Sequence, residues 1–285
     1  MKRKKLMMVL GCVAAFVLLL VVWFCIPYSP LKTEFEKDSK ELSAASALYQ
    51  NGEVFVAADF ANLPTAIQKF VEKSGFIGKK KMNLLKMEYR DVAFSQGKNG
   101  PNLKIDYIQH DFVKSPNRLA MIKSSLFGIP FQGYDYYRDG MGGMKGVIAK
   151  VFTLFDQTGA EMDRACLATF LAESMFAPSI LLQDYIQLEE LNEHQVKATI
   201  SAYGQTVSGI FNFNDEYEMT SFTTKDRAVV APDGSIEYVP WSAVCSEYKV
   251  GDDGIKLPTK FQAVWNYKDG DFVYFDGKIS RIAYE

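Results

Sequence analysis

Hydrophobic and polar positions follow three patterns along this chain, and each pattern predicts a different kind of element. An unbroken apolar run extends from Leu6 to Ile26, and a helical period recurs between Thr158 and Leu182. Elsewhere, short stretches in which apolar and polar residues alternate are separated by turn residues, a pattern typical of β-strands. The chain therefore predicts an apolar N-terminal helix, a second long helix and many short strands.

The N-terminal run predicts a single-pass membrane anchor within residues 1–28. At roughly 1.5 Å per residue, a helix of this length spans the hydrocarbon layer. Basic residues fill Lys2–Lys5, and none follows until Lys32, so the positive-inside rule places the N-terminus in the cytoplasm and the rest of the chain outside. A cleaved signal peptide or a lipidated Cys12 is the alternative. The run is longer than a signal core and lacks a small-x-small cleavage site, so an uncleaved anchor is favoured.

The remaining chain divides into a short linker and one domain. Residues 29–50 are polar, with charged side chains concentrated between Glu34 and Glu41. We therefore expect a juxtamembrane spacer there, followed by an extracytoplasmic domain over residues 51–285.

Period-two alternation in the domain predicts an antiparallel sheet. Apolar residues alternate with charged ones from Leu85 to Tyr89, and the alternation changes phase before Val92, which predicts a β-bulge. Asp139-Gly140 follows an aromatic-rich stretch and predicts a tight hairpin. In all, about ten closely spaced strands separated by turn residues are expected.

The helix predicted over Thr158–Leu182 is the centre of the expected fold. Thr158 and Glu161 have the spacing of a capping box, and Pro178 is expected to end the helix. Few of its residues are charged, so most of its surface must be packed. The predicted fold class is therefore α+β, in which a long curved antiparallel sheet, an incomplete barrel, wraps a central helix.

Composition and charge exclude several classes of function. The formal net charge is −2, and the basic residues at the extreme N-terminus leave the remainder mildly acidic without a basic cluster, which argues against nucleic acid as a partner. The chain has two histidines and no CxxC pair, so neither a metal site nor another cofactor is expected. Gly140–Gly143 lacks the Lys-Ser/Thr and following helix of a phosphate loop.

Glu173 is the carboxylate most in need of explanation, because its neighbours on the helix are nearly all apolar. A buried carboxylate requires a partner. The arginines that could supply one are Arg90, Arg118, Arg138, Arg227 and Arg281. A structural ion pair is favoured, and a ligand-binding or catalytic role for Glu173 is the alternative. Recognisable catalytic motifs are absent, which favours a protein that is not an enzyme.

Aromatic residues provide the second group of candidates. Tyr136, Trp241 and Trp265 lie in predicted strands and Phe170 in the predicted helix. Sheet propensity and core packing explain most such residues, whereas a concave pocket that binds an apolar ligand is the functional interpretation. Cys166 and Cys245 could form a disulfide outside the cytosol, although two buried free thiols are favoured.

Four motifs that occur in order give the chain a family resemblance. They are LPTAIQKFVEKSGFIG (63–78), GAEMDRACLATFLAESMFAPSILL (159–182), YVPWSAVCSEYKVGDDGIKLPTKFQAVWNY (238–267) and DFVYFDGKISRIAYE (271–285). Together they resemble a group of uncharacterised bacterial proteins that is classed as a domain of unknown function. One departure is Met175-Phe176, where an aromatic such as Trp is common in the group.

The order of elements is also similar to that of LolA-type lipoprotein carriers, although no LolA motif is present. In that family an incomplete barrel closed by helices holds acyl chains, so the resemblance implies a half-barrel pocket for lipid. The preferred hypothesis is accordingly a membrane-anchored protein that binds an apolar small molecule or lipid. An envelope enzyme that uses Glu173 and a protein-interaction module are the alternatives, and the oligomeric state is left open.

Overall fold

The computed structural model describes residues 2–95, 97–98, 100, 102–231 and 234–285. Within them, helices α1 to α4 span Lys2–Cys25, Pro30–Ala47, Thr65–Lys73 and Ala160–Glu173. Short 3-10 turns follow α4 at Ser174–Phe176 and Ile180–Leu182. Helix α1 is long and apolar enough to cross a membrane, and none of its most apolar stretch is buried.

The strands form one large sheet and one small hairpin. Strands β1 to β6 span Leu84–Ser95, Asn102–Phe112, Asn117–Leu126, Ile129–Arg138, Met141–Ile148 and Phe152–Thr158. Strands β7 to β12 span Ile186–Asn192, Gln195–Ala202, Gln205–Phe213, Met219–Thr224, Ala228–Val230 and Ile236–Tyr238. Strands β13 to β15 span Trp241–Val250, Lys256–Tyr267 and Gly270–Tyr284.

The large sheet has thirteen strands in the order β6-β5-β4-β3-β2-β1-β15-β14-β13-β10-β9-β8-β7, and β11 pairs with β12 separately. Each pairing is antiparallel, and β1 joins β15 to connect the two halves. The curved sheet stays open between its edge strands, β6 and β7, and α4 is the segment of chain that connects them. The predicted class, an α+β fold with a curved antiparallel sheet around a central helix, is confirmed.

Two local predictions about the sheet are also confirmed. The register of β1 on β2 shifts between Tyr89 and Val92, and Asp91 at this bulge has a φ of 51°. Asp139 and Gly140 connect β4 to β5 with φ values of 51° and 87°. Two consecutive positive φ values are those of a type I′ hairpin turn, which Asp-Gly sequences favour.

Helix α4 begins and ends differently from the prediction. Thr158 is the last residue of β6, where it pairs with Gly143, so it is not available to cap the helix. Gly159 occupies the cap position instead, with a φ of 109° and no side-chain cap. Glu161 accepts a hydrogen bond from the Tyr238 hydroxyl at 2.8 Å rather than closing a capping box. The α-helix ends at Glu173, several residues before Pro178.

Residues 29–50, expected to be a spacer, contain a helix that packs on the convex face of the sheet. Leu31 and Phe35 of α2 are buried in a cluster with side chains of β2, β3 and β4. Asp38 accepts hydrogen bonds from the Tyr134 hydroxyl at 2.8 Å and from Arg138 at 2.6 Å. These contacts make α2 an outer layer of the domain, because its apolar stripe is covered by the sheet.

The main core lies on the concave side, between the sheet and helices α3 and α4. Helix α4 approaches β5 so closely that a Cβ on Gly142 would lie 2.6 Å from the Met162 carbonyl oxygen. The Gly142 N–H donates to Asp163 at 2.6 Å. Gly142 thus serves the contact between the helix and the sheet.

Candidate functional site

A cavity of about 160 Å³ lies between α4 and the concave face of the sheet. For comparison, an engineered apolar cavity of about 150 Å³ stays dry and binds benzene. The cavity therefore has room for a small ligand or for one end of a larger one.

Opposite walls of the cavity come from α4 and from the strands at the C-terminus. The helix contributes residues at i, i+3 and i+4 spacing, which share one face: Met162, Ala165, Cys166, Thr169 and Glu173. Strands β13 to β15 contribute an aromatic wall made of Trp241, Trp265, Phe272, Tyr274 and Phe275. Most of the lining is therefore apolar, and the polar groups are concentrated at two points.

The first polar point is the ion pair of Arg118 and Glu173. The Arg118 Nε donates to Glu173 Oε2 at 2.8 Å, and its Nη1 donates to Asp135 at 2.8 Å. Its Nη2 contacts the Tyr107 hydroxyl and Gln109. The side chains of Arg118 and Glu173 are only 2% and 4% exposed. Every nitrogen of this guanidinium thus has a protein acceptor, which fits the structural ion pair predicted for Glu173.

Asp111 adds another buried carboxyl group to this network. Gln109 Nε2 donates to Asp111 Oδ2 at 2.7 Å and to Glu173 Oε2 at 2.8 Å. Asp111 Oδ1 is buried without a partner among the residues that the structure describes. Burial, together with the nearby charge of Glu173, raises the pKa of Asp111 well above its usual value. Burial thus favours the neutral form of this carboxyl group within the network.

The second polar point is Arg227, whose guanidinium lies over the aromatic wall. Its Cζ is 4.5 Å from the ring centre of Trp241 and 5.1 Å from that of Trp265. The Nη1 donates to the Tyr274 hydroxyl at 2.6 Å. Across the described part of the chain, Arg227 forms no ion pair, and its buried Nε has no hydrogen-bond acceptor. Unlike Arg118, this cation therefore has donor capacity left for a ligand.

The structure brings three of the five predicted site residues to the cavity. Glu173, Trp241 and Trp265 line it. Phe170 is fully buried in the core, where its ring packs 6.4 Å from that of Tyr185. Tyr136 lies on the convex face and packs against Tyr134 at 5.2 Å between ring centres. Phe170 and Tyr136 therefore lie outside the lining of this cavity.

The residue that the sequence did not single out is Arg227. It was one of five possible partners for Glu173, and Arg118 takes that role. Arg227 immediately precedes β11, and its contact with Trp241 and Trp265 depends on the pairing of β13 with β14 and of β14 with β15. Such long-range pairing leaves no local signal in the sequence.

Cys166 and Cys245 are both buried and unbonded, as the favoured prediction has it. Burial raises the pKa of both thiols. They act as small apolar side chains rather than as reactive groups.

Comparison with solved structures finds a domain from Vibrio parahaemolyticus described as an outer-membrane lipoprotein-sorting protein. The match covers 77% of this chain and 91% of that one, with a TM-score of 0.41 and 8% sequence identity. No functionally curated protein matches the chain.

A family model matches residues 53–277, the greater part of the domain. The resemblance predicted from the four sequence motifs is thereby confirmed. The chain belongs to a family of unknown function, DUF6544.

Proposed function

We propose that this protein is anchored in the cell membrane by α1 and binds, in the cavity under α4, a ligand with an apolar body and an anionic group. The observation that carries the proposal is the guanidinium of Arg227 on the aromatic wall of that cavity, which has no ion-pair partner among the residues that the structure describes. The N-terminal basic cluster supports an orientation with the domain outside the cytoplasm.

The apolar body of the ligand is inferred from the lining. Aromatic and aliphatic side chains surround most of the cavity, and concave apolar sites with a few polar groups are the usual form of small-molecule sites. Burying apolar ligand surface there contributes about 25 cal/mol for each Å² removed from water.

The anionic group is inferred from the contrast between the two arginines. Arg118 is saturated by Glu173, Asp135 and neighbouring polar groups, whereas Arg227 has an aromatic support and one hydroxyl acceptor. A carboxylate or phosphate oxygen would form charge-assisted hydrogen bonds with the free donors of Arg227. Stacking on Trp241 keeps the guanidinium in place before the ligand arrives.

Glu173 is assigned a structural role rather than a catalytic one. Its carboxylate lines the cavity, but Oε2 accepts hydrogen bonds from both Arg118 and Gln109. The same carboxylate would have to break the Arg118 ion pair to act on a substrate. No observation on the described residues favours chemistry over binding.

We expect Arg227→Gln to weaken the binding of hexanoate and hexyl phosphate by about 10- to 100-fold, the range for a lost hydrogen bond to a charged group. Binding of 1-hexanol, which has the same chain but no charge, should change much less. Fluorescence of the full chain in liposomes measures this, in a Trp23→Phe background where Trp241 and Trp265 are the remaining tryptophans.

Lys225→Gln is the matched control, since it removes an exposed positive charge two residues away from Arg227. This variant should bind all three probes as the parent does. An equal loss of hexanol binding in Arg227→Gln would show that Arg227 only packs. A fluorescence signal that none of the probes changes would contradict ligand binding in the cavity itself.

A further inference from the structure

One end of the sheet is attached to the C-terminal end of α1. The Trp23 Nε1 donates to the Ala149 carbonyl at 3.1 Å, and Lys150 Nζ donates to the carbonyls of Trp23 at 2.8 Å and Ile26 at 2.5 Å. A cation at this position satisfies carbonyls that have no partner within the helix and complements the helix dipole. The turn between β5 and β6 therefore caps α1 from outside the helix.

The backbone of this turn adopts an uncommon conformation that supports its contact with α1. Ala149 and Lys150 have φ values of 53° and 65°, a left-handed conformation that residues other than glycine adopt rarely. Lys150 is almost entirely buried, although its side chain is charged. The conformation directs the ammonium group of Lys150 onto the end of α1.

The turns beside this contact expose large apolar side chains to solvent. Phe127, in the turn between β3 and β4, is 96% exposed, and Phe152, at the start of β6, is 66% exposed. Val151 and Leu154 are exposed as well. The two turns are adjacent, because the Ala149 N–H donates to the Pro130 carbonyl at 2.8 Å. Residues 123–130 and 145–155 contain no acidic residue.

We infer that these two turns, 127–129 and 149–154, form a second membrane contact that inserts into the surface of the bilayer that α1 spans. The inference rests on the proposed membrane anchoring by α1, and it adds a membrane contact that the domain itself makes. The bilayer is the occupant because the turns are continuous with the end of α1, where Trp23 belongs to the interfacial layer. Exposed apolar patches of this kind mark membrane or protein contacts.

The contact would hold the domain in one orientation on the membrane. Strand β5 runs from Met141 to Ile148, so Met141 lies at the opposite end of the β4–β5 hairpin, roughly 24 Å from the membrane turns at about 3.4 Å per residue. Strand β6 starts at the exposed Phe152 and reaches the cavity lining at Gln157. The edge strand thus connects the inferred bilayer surface with the ligand cavity.

Site-specific fluorescence on the full chain in liposomes tests the inference. Cys12 and Cys25 are replaced by alanine, and Phe152→Cys or Met141→Cys is labelled with a polarity-sensitive fluorophore. Met141 is the matched control because it is 65% exposed, nearly as much as Phe152. Vesicles of phosphatidylcholine and phosphatidylglycerol are prepared with and without lipids that carry a nitroxide quencher near the headgroup.

The fluorophore at residue 152 is expected to shift to shorter wavelength and to lose at least half of its emission to the quencher, whereas residue 141 should show neither change. Equal, water-like emission at both positions in protein that floats with the vesicles would overturn the inference while leaving the anchor intact. Protein that fails to float would contradict the anchor instead. A blue shift that depends on the protein-to-lipid ratio would indicate contact with a second copy and would also overturn the inference.

Discussion

Replacing Glu173 by glutamine is expected to lower the free energy of unfolding by about 3 kcal/mol, the lower end of the range for removing one partner of a buried ion pair. The variant leaves the Arg118 guanidinium buried with Asp135 as its remaining carboxylate. Because the Asp135 carboxylate still compensates part of the Arg118 charge, we expect a loss of unfolding free energy at the lower end of that range. A drop in Tm of about 6–12 °C corresponds to this loss in a domain of this size, and thermal unfolding followed by circular dichroism measures it.

Glu161→Gln is the control for Glu173→Gln, because it removes a carboxylate from the solvent-facing start of the same helix. Its effect should stay within about 0.5 kcal/mol, as for most surface substitutions. If Glu173→Gln were as stable as the parent but had lost ligand binding, Glu173 would be a binding or catalytic residue and its structural role would be wrong.

Asp111→Asn should have the opposite effect and stabilise the protein at neutral pH. Because burial raises the pKa of Asp111 well above its usual value of 3.8, the folded protein keeps a proton that the unfolded chain releases above about pH 4. In this pH range the unfolded state binds fewer protons than the folded state. The free energy of unfolding therefore falls by up to about 1.4 kcal/mol per pH unit until the pH passes the pKa of Asp111 in the folded protein. Asparagine is neutral in the folded and the unfolded state, so the variant avoids this loss of stability as the pH rises.

The measurement is urea unfolding of the parent and of Asp111→Asn between pH 4 and pH 8. The difference in unfolding free energy should grow with pH in favour of the variant. Asp106→Asn is the control, because Asp106 lies on the same strand but its side chain is 38% exposed and is paired with Arg90. A variant that is less stable than the parent at pH 7 would show that Asp111 is ionised in the folded state.

The architecture was predictable because its signals are local. The apolar run that predicts α1, the alternation along β1 and the Asp139-Gly140 turn each depend on neighbouring residues. The cap of α4 was not predictable in the same way. Thr158 has the sequence of a helix cap, but pairing with Gly143 keeps it in β6. The helical nature of residues 30–47 was obscured by the charged side chains that cover the outer surface of α2.

The candidate site was only partly predictable because alternation does not show which face of a strand is concave. Tyr136 and Asp135 are neighbours on β4, yet Asp135 lines the cavity and Tyr136 packs on the convex side. Glu173 was identifiable as a lone carboxylate in an apolar helix. Its pairing with Arg118, and the placement of Arg227 on Trp241, depend on strands that are distant in sequence.

The most direct test of ligand binding in the cavity is native mass spectrometry of the full chain, released from nanodiscs and compared with Ala165→Leu. Ala165 lines the cavity from α4, so the larger side chain fills the space without adding a polar group. We predict that the parent chain carries a discrete extra mass from an anionic amphiphile and that Ala165→Leu has lost it. The same extra mass in both proteins, or its absence from both after incubation with hexanoate, would contradict a ligand site under α4.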